Sequence, residues 1–348
     1  MGEKPLPNYP VVPLRQDEIV VVVVQSKQVT VDIDNVEKGI KDNLNLMVRL
    51  IDTIQSRRHK DLLVFHEFPL TGSDIRWNRQ QQMRASIDVP GPETELLGQK
   101  AKQYNCYIEF GAKGRLPDWP GHFHYLGLIV GPSGKVEHVR WKLRNLPGLG
   151  FGTTVYDVLD QYVERYGWDA VFPVARTDIG NLAIMPEIME PEVARIFAMK
   201  GAEILIRYMT LGAGHWGTRP ISYRGGLGNT YRIDFAASCM QNSVYGCFVN
   251  NAVNMDDLIQ DYGAGRSAIF DYDGRMMAEA NSGLQTILEA TIPIASYRRG
   301  HSIPVIPGDL FKHFYQEYVS KYPPNSYLKM LPNSNAESAQ LYIKDARW

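Results

Sequence analysis

Residues 177–207 read TDIGNLAIMPEIMEPEVARIFAMKGAEILIR. The turn at Gly180 and Asn181 opens the apolar run Leu182, Ala183, Ile184, long enough for a buried strand that ends at Met185. Pro191 and Glu192 start a helix, because proline is tolerated at the first helical position and its fixed φ suits entry. Val193, Ile196 and Phe197 follow at helical spacing, and Gly201 stops the run before a second strand over 202–206. The order is strand, elbow, helix, strand. In such a unit the residue at the strand's end is lifted toward a crevice, where open α/β sheets bind ligands.

The same alternation fills the rest of the chain. Residues 18–25 are a nearly continuous β-branched run, as expected of a strand buried on both faces. Ile40, Leu44, Met47, Val48, Ile51 and Ile54 make a helical stripe within 35–57. A strand over 61–65 runs into His66-Glu67-Phe68-Pro69, and a helix over 91–102 precedes a third strand, 106–111. The segments 126–130 and 135–140, joined by Gly131-Pro132-Ser133-Gly134, read as a hairpin that delivers Trp141-Lys142-Leu143. Val155, Leu159 and Val163 predict a short amphipathic helix over 156–166, a lid, an interface element or a surface insertion. A glycine-rich loop with His215, Trp216 and Arg219 leads to a helix over 234–241 and a strand over 246–251.

Composition narrows the classes of function. The chain has 348 residues, 44% hydrophobic and 22% charged, ample for one large α/β core flanked by an arm, 1–17, and a tail, 296–348. A formal charge of −1 gives no net attraction to nucleic acid or to an anionic membrane. The apolar run 19–24 is a strand's length, far short of a membrane span. Three cysteines, Cys106, Cys239 and Cys247, show neither paired nor metal-ligand spacing, and His66, His122, His124 and His215 show none either. No metal or other cofactor is expected. The first residues lack the basic start and apolar core of an export signal, which favours a reducing cytoplasm. They read as a proline-stiffened arm, loose or laid over a neighbouring subunit.

Taken in order, these blocks resemble the nitrilase (carbon–nitrogen hydrolase) superfamily, most nearly its aliphatic amidase and formamidase branch. That family writes a strand, then Cys-x-Asp/Glu, three residues, Pro-Glu, an Arg, and Lys-Gly-Ala-Glu. The chain has Glu187, Pro191-Glu192, Arg195 and Lys200-Gly201-Ala202-Glu203, with Met185 at the cysteine's place. Glu67 falls where the family has its general base and Lys142 where it has its catalytic lysine. A second family glutamate belongs near Gly150, in a loop over 147–152 that holds no carboxylate. The resemblance covers roughly 18–295 and implies a four-layer αββα sandwich, a small-molecule substrate, and a homo-oligomer built from dimers. The tail is then expected on a partner subunit.

The family's reaction needs a thiolate nucleophile, a glutamate that moves its proton, an oxyanion-holding lysine with a backbone N–H, and the second glutamate. A thioether has no proton to lose and forms no anion, and Pro186 has no N–H to donate. Loss of a nucleophile alone costs about 10⁶ in turnover in a well-studied hydrolase. Three readings follow: altered, non-covalent acid–base chemistry by Glu67 and Lys142; a pseudoenzyme that binds ligand or serves as an oligomeric subunit; or a conventional hydrolase with a displaced cysteine nucleophile. Lys142 is expected to be buried and to hold Glu67 ionised. Glu187 orients that lysine or, by the leading reading, braces the elbow. Phe68, Pro186, Glu187, Tyr208, Met209 and Trp216 are the pocket candidates, with core packing an equal expectation for Phe68 and Trp216. Met185, Met189, Met199 and Met209 are expected to line an apolar pocket.

Overall fold

A computed structural model describes residues 8–210, 226–253 and 265–348. The first half begins with β1 (Ile19–Gln25), α1 (Val36–Gln55), β2 (Leu62–Phe65), α2 (Arg79–Arg84), β3 (Ile87–Asp88) and α3 (Pro92–Tyr104). It continues through β4 (Tyr107–Arg115), β5 (His124–Val130), β6 (Val136–Trp141) and, after a 3-10 turn, α4 (Leu159–Tyr166). The second half holds β7 (Ala175–Thr177), β8 (Gly180–Ile184), α5 (Pro191–Met199), β9 (Ile204–Tyr208), α6 (Gly226–Asn242) and β10 (Tyr245–Val249). It closes with β11 (Ala268–Phe270), β12 (Met276–Glu279), β13 (Thr286–Ile292), α7 (Ile294–Gly300), α8 (Gly308–Glu317) and α9 (Asn335–Lys344).

Among the described residues, one sheet has the order β13-β1-β2-β4-β5-β6, with β3 on β4, and the other β12-β11-β10-β9-β8-β7. Each is parallel at its centre, β1-β2-β4 and β8-β9-β10, and antiparallel toward its edges. Side chains alternate across each strand, and the alternation builds the layers. Val22 and Val24 join Ile40, Met47 and Ile51 of α1 and Leu97 of α3 in one apolar cluster. Ile19, Val21 and Val23 face the opposite way and meet Leu182, Ile184, Ile204 and Ile206 of the second sheet. Ala183 and Leu205, the alternate positions of β8 and β9, pack on Phe197 of α5 and Phe235 of α6. Helices, sheet, sheet, helices is the expected αββα sandwich.

Several local expectations are revised. The strand expected over 202–206 begins at Ile204, because Ala202 N–H still bonds back to Phe197 and belongs to the turn that ends α5. The 156–166 segment divides into a 3-10 turn and α4, anchored to the core beside Trp119 and Trp141 by buried Val155, Val158 and Tyr162 while most of α4 stays exposed. The described part of the arm, from residue 8, lies on its own chain. Tyr9 seats its ring on Gly201, where a Cβ would come within 2.4 Å of it, and donates its hydroxyl to Glu203 at 3.0 Å. Arg298 grips the same carboxylate twice, at 2.6 Å each.

Much of the tail likewise returns to its own chain. Asn325 and Tyr327 N–H groups bond to the Tyr156 and Asp157 carbonyls, Arg79 N–H bonds to the Asn333 carbonyl, and the Tyr342 hydroxyl donates to the Asp157 carboxylate. Only α8 buries none of its residues, leaving Leu310, Phe311 and Phe314 exposed.

Candidate functional site

The carboxyl ends of β2, β6, β8 and β9 converge. Glu67, two residues beyond β2, donates its N–H to the Met209 carbonyl just past β9, at 3.4 Å. Lys142 follows β6 directly and brings its Nζ 4.0 Å from Glu67 Oε1. Glu187, three residues past β8, accepts the Leu143 N–H at 2.9 Å. These are the strand ends at which an α/β sheet offers a ligand site.

Each neighbour has a reason in the sequence. Glu67 sits where it does because Gly111 of β4 has no side chain: a Cβ there would lie 2.4–2.8 Å from the Glu67 backbone. Gly127, paired with Gly111 across β4 and β5, leaves the same kind of space for Tyr208, whose ring a Cβ would approach to 3.1 Å. Tyr125 turns its ring toward Lys142, 5.4 Å from Nζ, and packs against Phe68 at 5.9 Å between centroids. Phe68, Tyr125, Phe123 and Phe151 form a small aromatic cluster of their own.

Burial pushes the Glu67 carboxyl upward from the ordinary carboxylate range, and Glu187 adds to the shift; Lys142 foremost, then Lys113 and the Thr210 backbone, pull it down. Burial wins. The expectation of a buried Lys142 holding Glu67 ionised is therefore corrected: the lysine side chain is 27% exposed, and at 4.0 Å it stands off rather than locking the carboxylate. It faces Glu67 from the open side.

Glu187 is buried within the protein rather than turned to solvent. It takes Arg140 of β6 in two bonds of 2.8 and 2.6 Å, both residues buried. The elbow between Met185 and Pro191 is tight enough to hold Met189 at φ +56°, a left-handed position costly for a side chain other than glycine. Asp234 of α6 accepts the Met189 N–H at 3.2 Å and pairs with buried Arg207 of β9.

Met185 and Pro186 are both buried, and Met185 packs in the helix-side core with Met209, Val193 and Phe197. The four-methionine lining does not form: Met189 is 69% exposed and Met199 41%. Phe68, Tyr208 and Met209 are all buried. Trp216, like His215 and Arg219, lies outside the described residues.

Two features were not expected. Lys113 of β4 is fully buried beside the site, and its Nζ has no hydrogen-bond partner among the described residues. The signal available was its period-two spacing from Gly111. Near Gly150, where the second family glutamate belongs, a Cβ would meet the Tyr125 hydroxyl and Asn145 Oδ1 at 3.2 Å. A side chain there would need Tyr125 and Asn145 to give by a few tenths of an ångström. The three cysteines lie in three different core layers, all buried, with thiols that burial pushes upward, Cys106 to about 12.

Comparison with known proteins agrees with this architecture. A formamidase of Bacillus thuringiensis is 25% identical over 255 residues, covering 70% of this chain and 66% of the relative, just under two thirds of its length. A Saccharomyces cerevisiae member of branch 10 of the nitrilase superfamily superposes with a TM-score of 0.57 at 16% identity, over 84% of this chain and 97% of that one. A glutamate-to-glutamine mutant of an amidase from Nesterenkonia sp., with the acetamide moiety of fluoroacetamide added covalently at its active-site cysteine, gives 0.55 at 14% identity, over 88% and 100%. At such identities the two structures speak to fold alone. The family description "Carbon-nitrogen hydrolase" matches residues 21–301. That span runs from β1 past the end of α7 and takes in both sheets and all the residues gathered around Glu67, so the chain belongs to the carbon–nitrogen hydrolase family.

Proposed function

We propose that this family member performs acid–base chemistry without a covalent intermediate on a small amide, nitrile or related nitrogen-containing compound. The observation that carries the reading is the Glu67–Lys142 pair, 4.0 Å apart at the strand ends, with Met185 at the elbow. Glu67 takes a proton from water as the water oxygen attacks the substrate carbon, and Lys142 steadies the negative charge that develops on the substrate heteroatom. Glu67 then returns the proton to the nitrogen, either to the leaving amine of an amide or to the hydrated nitrile. An upward-shifted carboxyl suits this cycle, because it both gains and gives its proton nearer neutrality.

Met185 stands, on this reading, at the nucleophile's position, where a thioether has no proton to lose and forms no anion. The displaced-cysteine reading draws no support from thiols that are all buried and raised. The exposed apolar face of α8 supports assembly with further copies of the chain.

The test is incubation with a panel of short amides, nitriles and carbamoyl compounds, following ammonia and hydrated product together with intact-protein mass. Turnover without a mass adduct is expected, falling by about 10²–10⁴ in Glu67→Gln. Turnover with an adduct on Cys106, Cys239 or Cys247 overturns the non-covalent route. Silence across the panel for the native protein, with ligand retained on purification, leaves a binding protein and overturns the enzymatic reading.

A further inference from the structure

Lys113 is an unusual residue for its place. It lies on the inter-sheet face of β4, two residues beyond Gly111, the glycine that Glu67 rests upon. Directly opposite it on β5 is Tyr125, whose ring meets Lys142. Its Nζ stands 5.2 Å from the Phe68 ring centroid and 4.8 Å from that of Trp77. It is 0% exposed and has no hydrogen-bond partner among the described residues. Aromatic faces compensate a desolvated ammonium only in part, and an amine with three donors buried this way is expensive to keep.

We infer that Lys113 is a second lysine of this site, a positioning residue that acts on Glu67 from the protein interior while Lys142 acts on it from the open side. The inference rests on the proposed role of Glu67 and adds to it a fixed internal control on that carboxyl. Lys142 meets solvent, so its field at Glu67 is screened and changes as substrate displaces water. Lys113 is sealed behind Phe68 and Trp77, and its field stays constant through that exchange. The site thus keeps a permanent bias toward the carboxylate even when its mouth is dry.

The surrounding charges fit a coupled pair. Facing Glu67 are Lys142 beyond β6, Glu187 beyond β8, Tyr208 of β9 and Lys113 itself. Facing Lys113 are Glu67 and Asp74, and Asp74 is already gripped by Arg76 at 2.6 Å. Glu67 is therefore the carboxyl left to answer the amine. Burial pulls Lys113 down to about 7, with Glu67 the largest influence opposing it. Each group offsets part of what burial does to the other, biasing it toward its charged form.

Coupling of this kind is reciprocal, which gives a test that needs no substrate. Glutamate carboxyl carbons and lysine Cε carbons are labelled with 13C and titrated by NMR, with Glu67 assigned by its loss in Glu67→Gln and Lys113 by its loss in Lys113→Met or Lys113→Arg. The Glu67 midpoint should rise by about one pH unit in Lys113→Met and return in Lys113→Arg, and the Lys113 midpoint should fall by about as much in Glu67→Gln. Should Lys113→Met fail to fold, the Glu67→Gln arm decides alone. Midpoints unmoved in whichever arms fold would reduce Lys113 to a packing residue and overturn the inference. Silence in the substrate panel leaves this result untouched, so the two proposals fail separately.

Discussion

Arg140 and Glu187 meet in a two-pronged ion pair, Nη1 to Oε1 at 2.8 Å and Nη2 to Oε2 at 2.6 Å, with both side chains out of solvent. The pair ties the elbow after β8 to the end of β6. The remaining lone pair of Glu187 takes the Leu143 N–H, so Lys142 hangs between two clamped residues. A buried pair of this kind contributes little net stability, yet removing one partner strands the other charge.

Arg140→Met and Glu187→Gln should therefore each lower unfolding stability by about 3–5 kcal/mol, while Arg140→Met combined with Glu187→Met should recover much of the loss. Urea unfolding of the three variants decides it. A double variant no better than the sum of the singles would mean that the elbow's shape, not the pair's charge balance, sets the cost.

Gly111→Ala should do disproportionate harm for one methyl group. Its Cβ would fall 2.4 Å from the Glu67 carbonyl oxygen and 2.7 Å from its Cα, contacts that flexible side chains cannot relieve because both atoms are backbone. Overpacking of this sort costs about 1–3 kcal/mol and displaces Glu67 from Lys142. The variant should show a lowered unfolding midpoint and a shifted Glu67 carboxyl resonance. An unmoved resonance would show that the strand yields instead of the loop.

Glu67, Lys142 and Glu187 were legible because each stands just past a strand that its own apolar run defines, and the family resemblance fixes the register between them. Lys113 was not, and the reason is physical. Glu109, Gly111 and Lys113 alternate with Ile108, Phe110 and Ala112, a pattern that ordinarily marks a half-solvated strand with polar side chains turned to water. Here both faces are covered: Ile108 and Phe110 meet the helices, Tyr107 on the other face meets the second sheet, and Lys113 is closed over by Phe68 and Trp77. Single-strand periodicity cannot tell water from an opposing sheet. Tyr9 and Tyr342 were equally hidden, since a clamp between the chain's extremities and residues such as Glu203 or Asp157 leaves no trace in local spacing.

Glu109 marks the cost of that closed face. Both its carboxyl oxygens are buried without a hydrogen-bond partner among the described residues, and burial raises the group well above the ordinary carboxylate range. Glu109→Leu should stabilise the protein by about 1–3 kcal/mol. The gain should be larger at pH 8 than at pH 4, because the unfolded chain ionises Glu109 above its usual range while the folded chain keeps it protonated. A thermal midpoint that falls in Glu109→Leu would show that the carboxyl holds a partner worth more than its burial costs.

The pH dependence of stability should carry two opposing signatures that can be separated by substitution. His66 and His124 are wholly buried, and burial drags each down to about 3. Their folded values lie below the unfolded one, so the stability they provide is present above about pH 6.5 and lost as pH falls, at about 1.4 kcal/mol per pH unit for each. Asp157 runs the other way. Burial lifts it to about 6 despite bonds from Thr154, Asn145 and Tyr342, so its contribution is present below the ordinary aspartate range and lost as pH rises through about 6. The native protein should lose stability steeply below pH 6. His124→Phe, which keeps a ring against Trp141, should make that slope shallower, and Asp157→Asn should make it steeper between pH 4 and 6 by removing the opposing term. Unfolding midpoints at several pH values check both. An Asp157→Asn curve parallel to the native one would mean that Asp157 is already ionised in the fold, and that Tyr342 and α9 dock on a charge rather than on a protonated acid.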